Sequence, residues 1–238
     1  MLKGFAMYWQ MCSLAIVCVL FFAACGSRLR IIDRPIPFSP ERIEMTRAYI
    51  EQHYGLAARD ISITPRIIVL HWTAIGDFAG SYRAFAPELL PNSRPELRRA
   101  GEVNVSIQFL IDKDGKVYRL MPETWMARHC IGLNYESIGV ENVGGEKGVD
   151  DLTEAQLAAN VRLVRELVEK YPTIEYLIGH HEYQAFEGHS LWRELDASYR
   201  TTKTDPGERF MSVVRAAVSE LGLKGVREIV SEKSSSNQ

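Results

Sequence analysis

Cysteine is nearly absent from the part of this chain that can fold as a domain. Of the four present, Cys12, Cys18 and Cys25 fall in the first 25 residues and only Cys130 lies beyond them. A framework of intramolecular disulfides is therefore excluded for the body of the protein. Net charge is lacking too. The 28 basic and 30 acidic side chains leave a formal −2, which gives no electrostatic case for a nucleic-acid partner. There is no internal repeat, and low complexity is confined to Ser234–Ser236. What remains is an ordinary globular composition, 46% hydrophobic and 24% charged over 238 residues, enough for one sizeable core.

Long apolar runs are also missing. The longest early one, Met11 to Phe22, is interrupted by Ser13 and is too short for an ordinary membrane-spanning helix. It follows Lys3 and precedes Ala23-Ala24-Cys25, so it reads as an export signal. Small residues directly before a cysteine resemble the lipobox of bacterial lipoproteins, in which Cys25 becomes the lipidated first residue. Phe22 stands where Leu is usual. Simple secretion after Ala24 and a retained anchor are the alternatives. The organisation expected is a signal over 1–24, a linker over 25–40 carrying Arg28, Arg30, Arg34 and two prolines, one domain over 41–228, and a polar, disordered tail over 229–238.

Within the domain, Ser39-Pro40-Glu41 opens a helix that Gly55 ends. Pro65 to Ala74, P-R-I-I-V-L-H-W-T-A, reads as a buried central strand delivering His71 at its end. Phe78 to Arg99 lacks clean periodicity and reads as loop with a short helix. V-S-I-Q-F-L-I and V-Y-R-L-M, joined through Asp114-Gly115, form a hairpin, and S-I-G-V-E-N-V from Ser137 is a further strand. Thr153 and Gln156 make a capping box for a helix with Leu157, Val161, Val164 and Val168 on one face. A short strand then delivers His180, His181 to Arg200 reads as a long surface segment, and a last helix starts near Pro206 with Phe210, Val213, Val214 and Val218 inward. This order implies a single α/β domain, a mixed central sheet with helices on both faces.

His71, His180 and Asp205 would make a ligand set of two imidazoles and one carboxylate, which suits a catalytic zinc ion with an open coordination position. Each has a plainer reading. A lone histidine in an apolar strand is commonly a satisfied core residue, and Asp before Pro is a common helix N-cap. Glu141, in an apolar strand, suits a general base with a pKa raised by burial, or a salt bridge to one of the arginines. Lys203 near a helix N-terminus runs against the helix dipole, which makes sense if it faces an anion. His129 and Cys130 are adjacent, so on an extended backbone at most one of them faces a given site; Cys130 reads as a packed thiol. A two-histidine, one-carboxylate iron oxygenase has the same donors, but no jelly-roll pattern accompanies them.

H-W-T-A at His71, V-S-I-Q-F-L-I-D-K-D-G-K-V-Y at Val105, A-R-H at Ala127, N-Y-E-S-I-G-V-E at Asn134, I-G-H at Ile178 and K-T-D-P-G at Lys203 occur in one order. Together they resemble the zinc-dependent N-acetylmuramoyl-L-alanine amidases, a family that includes peptidoglycan recognition proteins, over roughly Arg66 to Ala217. The resemblance implies zinc on His71, His180 and Asp205, Glu141 as the water-activating carboxylate and Lys203 as the oxyanion-stabilising cation. It implies that His129 contacts substrate and that Asn134 holds the S-I-G loop at the substrate wall. The expected substrate is peptidoglycan or a muropeptide, cut between N-acetylmuramic acid and L-alanine. With the lipobox, the expected form is a lipid-anchored monomer in the bacterial periplasm, on the outer membrane. Two features depart from the family: the segment between His180 and Asp205 is long, with His189 as a conceivable substitute ligand, and the segment between His129 and Asn134 is short. A non-catalytic peptidoglycan-binding protein on the same fold is the rival expectation.

Overall fold

The computed structural model describes residues 29–236. Six strands form one sheet: β1 (Ile31–Asp33), β2 (Ile67–Trp72), β3 (Phe109–Ile111), β4 (Val117–Arg119), β5 (Ser137–Asn142) and β6 (Tyr176–Gly179). Their spatial order is β1-β4-β3-β5-β2-β6. β3, β5, β2 and β6 run parallel, β4 turns back against β3, and β1 pairs parallel with β4 at the edge. The mixed sheet expected from the sequence is thus present.

Strand alternation decides what each face carries. In β2 every residue is buried, as the unbroken apolar run demanded. Ile67 and Val69 pack with Tyr176 and Ile178 of β6 against Tyr49 and Ile50 of helix α1 (Pro40–Tyr54). Ile68 and Leu70 point the other way, with Ile138 and Val140 of β5, into α4 (Glu154–Lys170) and α5 (Glu208–Ala217). Helices therefore cover both faces. By the same parity His71 and Glu141 belong to the α1 face, and β6 leads its next same-parity residue, His180, toward that side.

The helices begin and end where their chemistry says. The Ser39 hydroxyl accepts from Arg42 N–H, and Gly55 closes α1 in the left-handed region at φ 64°. Thr153 and Gln156 form the reciprocal capping box. The inward stripe of α4 is rotated from the expected one: Leu163, Leu167 and Asn160 are buried beside Leu157 and Val164, while Val161 and Val168 are only half-buried. The polar members earn their burial by bonding, since Gln156 donates to Val143 O at 2.9 Å and Asn160 donates to the Asn142 side chain at 2.7 Å. Val213 of α5 is likewise turned outward, 42% exposed.

Several boundaries need correction. The signal and Cys25 lie outside the described residues. The expected linker over 25–40 contains β1, and Ile36 beyond it is buried; a three-residue edge strand needs too few apolar side chains to be seen among arginines and prolines. The expected tail over 229–238 begins inside α6 (Val226–Ser236), whose Ile229 is fully buried. Residues 78–99 hold two helices, α2 (Phe78–Phe85) and α3 (Pro95–Arg98). The stretch from His181 to Arg200 is no mere surface segment: it opens with a 3-10 helix, His180–Phe186, and buries Tyr183, Phe186, Leu191 and Tyr199. Its aromatics fit irregular space, so they show no period.

Candidate metal centre

At the carboxyl ends of β2 and β6 three donor atoms converge. His71 Nδ1 lies 2.9 Å from His180 Nδ1 and 3.3 Å from Asp205 Oδ2, and His180 Nδ1 lies 3.0 Å from the same Asp205 oxygen. Tetrahedral bonds of about 2.0–2.1 Å to one zinc ion would separate ligand atoms by about 3.3 Å. Edges of 2.9 to 3.3 Å fit such an ion closely. Among the described residues this is the group of histidine, cysteine and acidic side chains that could hold a metal ion.

The protonation states suit it. Burial pushes His180 down to about 4, partly opposed by Asp205, so the ring is neutral near pH 7. Burial alone would raise the Asp205 carboxyl, but the His180 and His71 imidazoles overcome it and hold it well below the usual range. Asp205 is not a helix cap. α5 starts at Glu208 with Gly207 as its N-cap, and Asp150 accepts the Phe210 N–H there. Asp205 is instead anchored by its own carbonyl, 2.8 Å from His181 N and 3.1 Å from His181 Nδ1. A side chain at Gly179 would strike that imidazole at 2.7 Å, which explains the glycine before the histidine pair. On β2, the Asn142 amide donates to His71 O at 3.0 Å.

These residues line a cleft of about 370 Å³ that also takes in Glu141, Arg94, Lys203 and the threonines from 201 to 204. Glu141 is the register partner of His71. Its Oε2 is enclosed with no hydrogen-bond partner, which excludes the salt-bridge reading. Burial, then the Asp205 carboxylate, push its pKa well above the ordinary value, and Lys203 and Arg94 pull it partly back. Lys203 makes no hydrogen bond or ion pair among the described residues. The cleft thus holds a proton acceptor, an uncommitted cation and a triad of donors.

His129 and Asn134 both border the cleft. Both ring nitrogens of His129 are committed: Nδ1 to His71 Nε2 at 2.9 Å, and Nε2 to Ser137 Oγ at 3.2 Å. Only its ring edge is left for a substrate. Burial and the neighbouring His71 and His180 hold its pKa well below the usual value. Asn134 is buried in the cleft wall, where its oxygen accepts from His129 N and Cys130 N and its amide donates to Tyr54. It braces the turn that carries His129. Cys130 is a packed thiol, 1% exposed, its pKa raised by burial. His189 sits with Glu232 and Tyr176, away from the triad's donors.

Ser137, Gly139 and Arg94 carried no expectation. For the first two the signal was in S-I-G-V-E itself, where alternate residues share the face that bears Glu141. The wall opposite is held by Arg128, buried, which donates to the carbonyls of Leu97, Gly101 and Val103. The long segment before Asp205 is tied in by Glu194, 2.9 Å from His53 Nδ1, and by Trp192, whose ring lies so close over Gly132 that a Cβ there would meet it at 2.7 Å.

The sequence profile of the N-acetylmuramoyl-L-alanine amidases matches residues 62–208, which contain His71, His129, Glu141, His180, Lys203 and Asp205. The chain belongs to this amidase family. Peptidoglycan-recognition protein SC2 of Drosophila melanogaster is 28% identical over 131 residues, covering 53% of this chain and 70% of the relative. The 1,6-anhydro-N-acetylmuramyl-L-alanine amidase AmpD of Salmonella typhimurium is also 28% identical over 131 residues, with 49% and 68% covered. Among solved structures, the N-acetylmuramoyl-L-alanine amidase LysC of Clostridium intestinale aligns with a TM-score of 0.49 and 20% identity, covering 82% of this amidase chain and 99% of LysC.

Proposed function

We propose that the protein is a zinc-dependent peptidoglycan amidase that hydrolyses the amide between the lactyl group of N-acetylmuramic acid and the L-alanine of the stem peptide, in cell-wall turnover or recycling. The observation that carries this reading is the unpartnered Glu141 oxygen enclosed in the same cleft as the converging His71, His180 and Asp205. A bound zinc ion supplies Lewis-acid polarisation of the scissile carbonyl and makes water a better acid. Glu141 accepts the proton that water loses as its oxygen adds to the carbonyl carbon. Lys203 places positive charge beside the oxyanion that develops, and so lowers the barrier electrostatically. The C–N bond then breaks, and the proton held by Glu141 passes to the leaving amine of L-alanine.

The substrate is proposed to be peptidoglycan or a muropeptide released from it, in keeping with the amidase and recognition-protein relatives. The export segment and Cys25 support a lipid-anchored periplasmic location, with the anchor in the outer membrane. Peptidoglycan incubated with the purified protein should release stem peptides that begin with L-alanine and leave glycan chains intact. A chelator should stop the release and added zinc restore it. Binding without product, with or without zinc, would make the protein a peptidoglycan receptor and overturn the enzymatic reading.

A further inference from the structure

We infer that His129 and Ser137 form a positioning relay that fixes the tautomer of His71 so that its Nδ1 is a free lone pair facing His180 and Asp205. The inference rests on the ion site proposed above and adds residues to it that only the hydrogen-bond directions reveal.

The directions follow from one carbonyl. Ser137 Oγ lies 2.7 Å from Leu133 O, and a carbonyl can only accept, so the hydroxyl proton of Ser137 is spent there. Toward His129 Nε2, 3.2 Å away, the Ser137 oxygen must then accept, which places the His129 proton on Nε2. A neutral imidazole has a single N–H, so His129 Nδ1 accepts. Its partner at 2.9 Å is His71 Nε2, which must donate. In the neutral ring His71 Nδ1 then carries no proton, 2.9 Å from His180 Nδ1 and 3.3 Å from Asp205 Oδ2. A metal ligand needs that state, and partners of this kind commonly set it.

The strand is built for the relay. Ser137, Gly139 and Glu141 alternate onto one face of β5, and a Cβ at Gly139 would come within 2.8 Å of His129 Nδ1. The glycine is the space into which the His129 ring fits. Asn134 fixes the His129 backbone through its N–H at 2.8 Å. Ring, hydroxyl and vacancy are held independently, so the chain of donors has one direction.

Nitrogen-15 NMR of the histidine side chains in the metal-free protein tests this, together with zinc affinity measured by chelator competition. His71 should be in the Nε2–H form in the wild type. In His129→Ala it should become a mixture of tautomers, and zinc affinity should fall about 10- to 100-fold. His129→Asn, whose amide oxygen can stand where Nδ1 was, should restore both, and Ser137→Ala should disturb both with little loss of packing. An unchanged His71 tautomer and zinc affinity in folded His129→Ala or Ser137→Ala would overturn the relay. So would equal losses in His129→Ala and His129→Asn, since ring volume would then be what matters. A wild type that takes up no zinc would instead overturn the ion site, and the tautomer readings would still decide the relay.

Discussion

His71 and Glu141 are register partners on adjacent parallel strands, β2 and β5, so one member of the converging triad and the enclosed carboxylate are placed by the same backbone ladder. Neither depends on a loop for its position. The two side chains lie on the sheet face that α1 covers, at the end where that cover opens into the cleft.

Glu141→Gln keeps the shape of the side chain and removes its basicity. Turnover of peptidoglycan should fall by about 10²- to 10⁴-fold, with zinc content by elemental analysis unchanged. Full activity in a zinc-loaded variant would remove Glu141 from the proton-transfer role.

Lys203→Ala should act on the rate and not on binding. A cation directed at a developing oxyanion acts in the transition state, so kcat should drop about 10²- to 10³-fold while KM moves little. A rise in KM alone would show that Lys203 binds the ground-state substrate.

Gly139→Ala is a steric test of the strand. The added methyl would meet Ile107 at 2.3 Å and His129 at 2.8 Å. Stability in a denaturant titration should fall by about 1–3 kcal/mol, and zinc should bind more weakly because the displaced ring no longer meets His71. A variant as stable and as tight for zinc as the wild type would show that the strand has room there.

The C-terminal helix should respond to acid. The Glu232 carboxyl is held down at about 2 by its bond to Lys224, with Tyr176 and His189 assisting. A carboxylate depressed in the folded state stabilises it fully above the ordinary value, 4.5, and that contribution is lost as pH falls from 4.5 toward 2. Protection factors of the α6 amides, which divide out the pH dependence of intrinsic exchange, should therefore fall over that window, and Glu232→Gln should flatten the dependence. Equal protection factors at pH 5 and pH 3 in the wild type would refute the linkage.

The triad was legible because each member ends or follows a recognisable element. His71 closes an apolar run, His180 follows a strand-ending glycine, and Asp205 precedes a helix. Glu141 was legible as a charge in an apolar strand. The part of His129 was not, because which nitrogen meets which neighbour depends on ring orientation and not on spacing. β1 was hidden because three edge residues carry no period, and α6 because Ile229 is buried while its neighbour Val230 is exposed and the residues after it are polar. The buried aromatics of 183–199 were missed for the opposite reason: they fill an irregular gap and so follow no repeat.

Strand β5 has a consequence for how this protein can change. Ile138 and Val140 face α4 and α5, while Ser137, Gly139 and Glu141 face the cleft. Exchanging Ile138 or Val140 for another apolar residue of similar size should therefore be tolerated. Adding or deleting a single residue between Ser137 and Glu141 would instead rotate the carboxylate into the helix-covered core and an aliphatic side chain into the cleft. The length of this strand is constrained more tightly than its composition. Variation by insertion is left to the segments that frame the cleft, such as the long one before Asp205.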